Sequence, residues 1–257
     1  QEYSVGCIIG TGGFGSVSAG LRIKDKLPVA IKRIPKQNVL EWEDPEKTVP
    51  KEVAILQRLS LVPNVVQLLD WFRDDHSFLL VLERPDPCQD LFNYITQKGS
   101  IPEHQAKELF EQAVRTVKDV FERGVFHLDI KSENFLITRD SLGSPSLKII
   151  DFGAADYISE KPYTCMNLGT EVCYPPEWFR FRRYHGLAGT VWSLGLLLFD
   201  MTNGRPPFLT KQDILSGVFS FEKSAGLSEG LKDLVRSLLD PQPFKRPSFD
   251  QILLHPW

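Results

Sequence analysis

The sequence predicts an α+β protein, with a strand-rich first part joined by a short stiff connector to a helix-rich remainder. Three observations carry this. Apolar and polar residues alternate with a period of two along much of the chain up to Glu83. The run Glu83-Arg84-Pro85-Asp86-Pro87 then interrupts the pattern with two prolines, which cannot continue a strand ladder. Beyond it, apolar residues recur at helical spacing.

Taken in order, Tyr3 to Ile9 is apolar-rich and is followed by a glycine cluster. Val17, Ala19, Leu21 and Ile23 then alternate with Ser18, Gly20 and Arg22, the pattern of a half-buried strand. Lys26-Leu27-Pro28 breaks it, and Val29 to Ile34 is the next expected strand. Glu46 to Leu59 carries Val49, Val53, Leu56 and Leu59 on one helical face. Val65 to Trp71 and Ser77 to Glu83 complete the strands of this part. After the connector, helices are expected over Asp90 to Gln97, Pro102 to Arg123, Val191 to Thr202 and Leu227 to Leu239. Phe135 to Thr138 and Leu147 to Ile150 are short strands between them. The expected division is therefore 1–83, a hinge over 84–89, and 90–257. No internal repeat or low-complexity tract is visible.

Composition narrows the function classes. The chain has 257 residues, 42% hydrophobic and 25% charged, the make-up of an ordinary globular domain. A net charge of -3 gives no electrostatic reason to expect nucleic acid or a membrane surface as partner. Apolar runs such as Leu194 to Phe199 are far too short to span a bilayer. The first residues carry no basic and apolar leader pattern, so no secretory signal is expected. Cys7, Cys88, Cys165 and Cys173 have no CxxC or Cys/His metal spacing, which fits thiols in a reducing compartment. The expected location is the cytoplasm, with the nucleus left open, and the expected state is a monomer.

Gly10-Thr11-Gly12-Gly13-Phe14-Gly15 fits GxGxxG. Alone, the pattern serves equally for a glycine-rich hairpin turn. A dinucleotide-binding turn requires a helix after the glycines, whereas here the next segment alternates like a strand. A strand–loop–strand of this composition lets backbone N–H groups come close to phosphates. Lys32, in Ala30-Ile31-Lys32, would be an ordinary solvated strand lysine but for Glu52 on the helix that follows. A Lys32–Glu52 pair would hold the ammonium against phosphates. The strongest segment is His127-Leu128-Asp129-Ile130-Lys131-Ser132-Glu133-Asn134, followed by Asp151-Phe152-Gly153 directly after an apolar strand.

This ordered set resembles the protein-kinase signature along essentially the whole chain. Within it the chain is similar to the Pim family of serine/threonine kinases. The carrying residues are the Glu83 to Pro87 connector with Gln89-Asp90-Leu91-Phe92, then Tyr174-Pro175-Pro176-Glu177-Trp178. Arg183-Tyr184-His185-Gly186 and Val191-Trp192-Ser193-Leu194-Gly195 add to them. The resemblance implies a bilobal fold, a small antiparallel sheet with one main helix and a large, mainly helical lobe. It implies MgATP as the phosphoryl donor, and serine or threonine hydroxyls of protein substrates as acceptors.

Residue by residue, the resemblance makes Asp129 the acceptor of the substrate hydroxyl proton and Lys131 the neutraliser of γ-phosphate charge. Asn134 and Asp151 become the Mg²⁺ ligands, and Thr170 a partner of the catalytic aspartate. Val17, Ala30 and Leu136 would enclose adenine, with Leu82 as gatekeeper and the carbonyl of Glu83 as hinge acceptor. Ile9, Asp90 and the loop Gly10, Gly12, Gly13, Phe14 and Gly15 are also assigned to the nucleotide. Pro85 stands where the second hinge donor belongs and has no N–H, so a single hinge bond is expected, at a cost of about 1 kcal/mol. Glu177 is expected to pair with Arg246 in a structural role.

Three departures stand out. Leu128 replaces the arginine that receives an activation-loop phosphate, a residue the Pim family ordinarily keeps. Thr190 replaces the usual aspartate ahead of Val191-Trp192. Activity independent of phosphate on Tyr163 or Thr164 is therefore expected. Finally, Pim-like kinases meet basic peptides with acidic groups. Asp90 and Glu133 match such positions, whereas Asn93 and Arg205 stand where acids belong. Two rivals remain at this point: a pseudokinase scaffold, supported by Leu128 alone, and a small-molecule kinase of similar fold.

Overall fold

A computed structural model describes residues 2–12, 15–46, 48–139, 143–164, 173–221 and 226–257. The chain separates into two compact units, Gln1–Cys88 and Gln89–Trp257.

The first unit is built on one antiparallel sheet of strands β1 (Tyr3–Gly12), β2 (Gly15–Arg22), β3 (Pro28–Pro35), β4 (Leu68–Arg73) and β5 (Ser77–Glu83). Their spatial order is β1-β2-β3-β5-β4. Register decides which side chains share a face, because alternate residues point to opposite sides. Val29, Ile31 and Val81 are buried on one face with Tyr3, Leu69 and Leu79 against them. Helix α1 (Lys51–Arg58) buries Val53, Ile55 and Leu56. The helix starts later than the expected Glu46, because Pro50 sits at its N-cap in extended conformation and Trp42 bridges to Pro50. A proline there sets the first turn and loses no helical hydrogen bond.

The second unit is mainly helical. Helix α2 (Leu91–Lys98) is capped by Asp90, and α3 (Glu103–Glu122) buries Ala106, Leu109, Phe110, Ala113, Val117 and Val120 at helical spacing. Short strands β6 (Gln89–Asp90), β8 (Phe135–Arg139) and β9 (Pro145–Ile149) form a small sheet, and β7 (Val125–Phe126) pairs with β10 (Asp156–Tyr157). Helix α4 (Pro176–Phe181) follows, then α5 (Gly186–Asn203), α6 (Lys211–Ser216), α7 (Glu229–Leu238) and α8 (Phe249–Leu253). Helix α5 lies at the centre, with Val191, Trp192, Leu194, Leu198 and Phe199 almost wholly buried. Glu103, at the start of α3, accepts hydrogen bonds from the backbone N–H of Ser228 at 2.8 Å and the indole of Trp257 at 2.6 Å. That carboxylate joins the starts of α3 and α7 to Trp257.

Candidate active site

In the first unit the glycine segment is the tip of the β1–β2 hairpin, with Gly12 opposite Gly15. No helix follows, so the geometry is that of strand–loop–strand. Gly15 has φ +150°, and a Cβ there would lie 1.9 Å from the carbonyl oxygen of Arg33, so only glycine fits. Gly13 and Phe14 lie outside the described residues. The register pairs Gly10 with Val17, Val17 with Lys32, and Ala30 with Leu82. Val17, Ala30, Lys32 and Leu82 therefore share one face of the sheet. Ile9, the neighbour of Gly10, is about half exposed, at 51%. Lys32 Nζ lies 2.7 Å from Glu52 Oε1, with both side chains buried. Glu83 closes β5, where Gln67 donates its backbone N–H to the Glu83 carboxylate at 2.8 Å.

In the second unit, β7 leads into the catalytic-loop sequence. His127 is buried, with Nε2 3.0 Å from the Ile150 carbonyl oxygen, while Nδ1 accepts the Asp129 N–H at 3.3 Å. The carbonyl needs a donor and the N–H an acceptor, so the ring is neutral with its proton on Nε2. Burial holds its pKa below the ordinary value, against the opposing pull of Asp129. Its ring meets Phe152 edge-on at 4.7 Å, tying the loop to Asp151-Phe152-Gly153. The Asn134 side-chain amide donates to both the Asp129 carbonyl and its Oδ2, each at 2.8 Å. Lys131 Nζ lies 2.7 Å from the same Oδ2. Burial works against the lysine's charge, but the Asp129 carboxylate overcomes it and raises the Lys131 pKa.

Leu128 and Asp151 both adopt φ +61°, the left-handed region that non-glycine residues enter at a cost of about 1–3 kcal/mol. Such outliers cluster where a structure holds reactive groups in place. Asp151 Oδ1 also accepts the Gly153 N–H at 3.3 Å. The Asn134 nitrogen faces Asp129, so its amide oxygen points to the other side. With the Asp151 carboxylate it supplies oxygen donors of the kind that suit Mg²⁺. Leu136 is half-buried on β8, directly opposite Asp90. Asp90 Oδ1 accepts the backbone N–H of Asn93 and Oδ2 its side-chain amide, each at 2.7 Å. Thr170 lies outside the described residues, as does Cys165.

Arg246 forms two parallel hydrogen bonds to Glu177, both 2.8 Å, and donates further to the carbonyls of Ala188 and Asp240. Its guanidinium also lies over the Trp192 ring at 4.9 Å. The Thr190 side-chain oxygen is buried and has no hydrogen-bond partner among the described residues. Asp200 is a residue that pattern reading passes over. It is the single acid of α5, and Ser132 donates its hydroxyl to it at 2.9 Å. Burial raises its pKa, opposed by Ser132 and reinforced by the charge of Glu133. A carboxylate isolated in Leu196-Leu197-Leu198-Phe199-Asp200-Met201 was the available signal. Cys173 feels the same group of acids. Its thiol is pushed up to about 11 by burial and by Glu133 and Asp129, so it is no nucleophile at neutral pH.

A glycine-rich hairpin with a paired strand lysine in the first unit, and an Asp–Lys–Asn loop with Asp-Phe-Gly in the second, are the features of a protein kinase domain. The family pattern described as protein kinase domain matches residues 3–257. The chain is 40% identical over 269 residues to the serine/threonine-protein kinase pim-2 of Danio rerio, covering all of this chain and 84% of that one. It is 40% identical over 262 residues to the serine/threonine-protein kinase prk-2 of Caenorhabditis elegans, spanning 58% of that protein. Calcium-dependent protein kinase 19 of Arabidopsis thaliana is 34% identical and is matched over 47% of its length. The chain belongs to the protein kinase family, among the serine/threonine kinases that resemble pim-2.

Proposed function

We propose that this serine/threonine kinase phosphorylates basic protein substrates from MgATP and needs no activation-loop phosphate. The observation that carries the reading is the Asp129 carboxylate, held by Asn134 and Lys131 on one oxygen. Phosphoryl transfer asks for positioning and charge compensation more than covalent work. Asp129 Oδ1 is the group that orients the substrate hydroxyl and accepts its proton. Lys131 stabilises charge on the transferred phosphoryl, and Lys32, fixed by Glu52, performs the same service at the nucleotide phosphates. Asn134 and Asp151 would hold Mg²⁺, which would supply positive charge to the phosphate oxygens. Pro85 leaves one hinge hydrogen bond for adenine, through the Glu83 carbonyl.

The preference for basic substrates is supported by Asp200 and Glu133. Among the described residues no cation pairs with either, and burial already raises the Asp200 pKa. An arginine or lysine of the substrate would supply the missing charge. Independence from loop phosphate is supported by Leu128, which offers no cation to receive one.

The test is transfer of labelled γ-phosphate to a basic serine peptide by phosphatase-treated protein, with Asp129→Asn as control. Transfer by the wild type and loss of roughly 10³-fold in the variant are expected. Equal turnover by Asp129→Asn would falsify the assignment of the base. Nucleotide binding without any transfer would instead favour a scaffold.

A further inference from the structure

The segment after Asp151-Phe152-Gly153 carries a residue for which the catalytic scheme has no use. Tyr163 forms an antiparallel bridge with Tyr184, its N–H donating to the Tyr184 carbonyl at 2.8 Å and its carbonyl accepting in return at 3.1 Å. Its hydroxyl donates to the Tyr157 carbonyl at 2.7 Å. Its ring packs edge-on against Phe126 at 6.2 Å and tilted against Tyr184 at 5.6 Å. Gly186, the first residue of α5, makes room for this packing. A Cβ there would lie 2.5 Å from the Phe126 ring and 2.9 Å from that of Tyr163.

Each contact reaches a different part of the site's framework. Phe126 is the last residue of β7 and immediately precedes His127. Tyr157 lies on β10, paired with β7 and six residues after Asp151. Tyr184 belongs to the stretch between α4 and α5, and its own ring packs on Trp178 of α4. We propose that Tyr163 is a positioning residue, an uncharged clamp that joins these three pieces without any loop phosphate. A phosphate–arginine contact would hold them by charge. Here a half-buried phenol holds them by hydrogen bonding and ring packing, in a chain whose catalytic-loop arginine is Leu128. Burial and the nearby Asp156 push the phenol up to about 12, so its proton stays in place at neutral pH. The hydroxyl is therefore a committed donor that adds to the ring packing. This inference rests on the proposed phosphate-independent activity, and the experiment separates the two.

Wild type, Tyr163→Phe, Tyr163→Ala and Thr164→Ala are treated with phosphatase and their phosphate content checked by intact mass. Turnover of a basic serine peptide, affinity for a fluorescent ATP analogue and melting temperature are then measured on each. The clamp requires Tyr163→Ala to lose at least about tenfold in kcat while nucleotide affinity stays within about twofold. Tyr163→Phe, which keeps the ring, recovers most of that loss, and Thr164→Ala matches wild type. A purely structural tyrosine would lower the melting temperature and leave kcat per folded molecule unchanged, and that result overturns the proposal. Should Tyr163→Ala fail to fold, amide exchange in the wild type decides: protected Tyr163 and Tyr184 amides uphold the clamp, and exchange at unprotected rates refutes it. A phosphatase-treated wild type that is inactive until phosphorylated removes the phosphate-independent reading instead. The clamp is then judged by the same kcat comparison on the phosphorylated proteins.

Discussion

Lys32 and Glu52 come from a strand and a helix, and their buried 2.7 Å contact is the best-defined charge pair of the first unit. Removing one partner of such a pair is costly because the other stays in a poorly solvating site, by about 3–5 kcal/mol. Lys32→Met is expected to lower the melting temperature measurably and to reduce peptide phosphorylation by roughly 10²-fold or more, read by calorimetry and initial rates. Thr190 predicts the opposite sign. Its hydroxyl is buried without a partner among the described residues, so the site already bears the desolvation cost of that oxygen. Thr190→Val replaces it with a methyl of similar shape. The variant should melt at the same temperature as wild type or higher, and a loss above about 1 kcal/mol in denaturant titration would show a hidden partner.

At the scale of elements, the segments most readable from pattern were those whose period is undisturbed. Ser77–Glu83 forms the strand its composition announces, and Glu103–Glu122 the helix of its apolar stripe. Helix α5 was harder: it begins at Gly186, a turn and more before the expected Val191. Gly186 and Gly189 are poor helix formers, and the rings that require Gly186, Phe126 and Tyr163, lie far away in sequence. A Cβ on Gly189 would lie 2.6 Å from the Tyr184 ring, much as one on Gly186 would strike Phe126. Gly186→Ala should improve intrinsic helix propensity yet destabilise the protein by about 1–3 kcal/mol through overpacking, measured by urea unfolding. A stabilised variant would mean that Phe126 and Tyr163 move aside freely.

For the molecule as a whole, acid stability follows from a buried titrating group, and the proposed preference for basic substrates is tested at Asp200 and Glu133. His127 is neutral and buried, with a folded pKa below its ordinary 6.5. Between the depressed value and 6.5 the unfolded chain binds the proton and the folded chain does not. Its contribution to stability is therefore present above about pH 6.5 and is lost as pH falls. The melting temperature should drop from about pH 7 to pH 5.5, and His127→Asn should flatten that slope. Asp200 and Glu133 make the second prediction. Asp200→Asn with Glu133→Gln should raise KM for a basic peptide by about tenfold while leaving kcat for a neutral peptide nearly unchanged. Equal KM shifts on both peptides would argue against charge recognition.

The residues proposed to do chemistry could be named from the sequence because their signals are local. Asp129, Lys131 and Asn134 lie within one short loop, Asp151 opens a fixed tripeptide, and the glycines precede an alternating strand. The lobe-forming alternation and helical stripes are local too, so fold class, family and reaction type could be drawn from the chain alone. Tertiary structure decided what depends on residues far apart meeting. Strand register set Val17, Ala30, Lys32 and Leu82 on one face. The folding of α5 onto the catalytic loop put Asp200 beside Ser132, across 68 positions. The bridge to Tyr184 made a clamp of Tyr163, which in sequence had stood only as a site that phosphorylation could bypass. Burial, hydrogen-bond pairing and close packing are properties of the folded neighbourhood, and no period or motif encodes which distant side chain completes it.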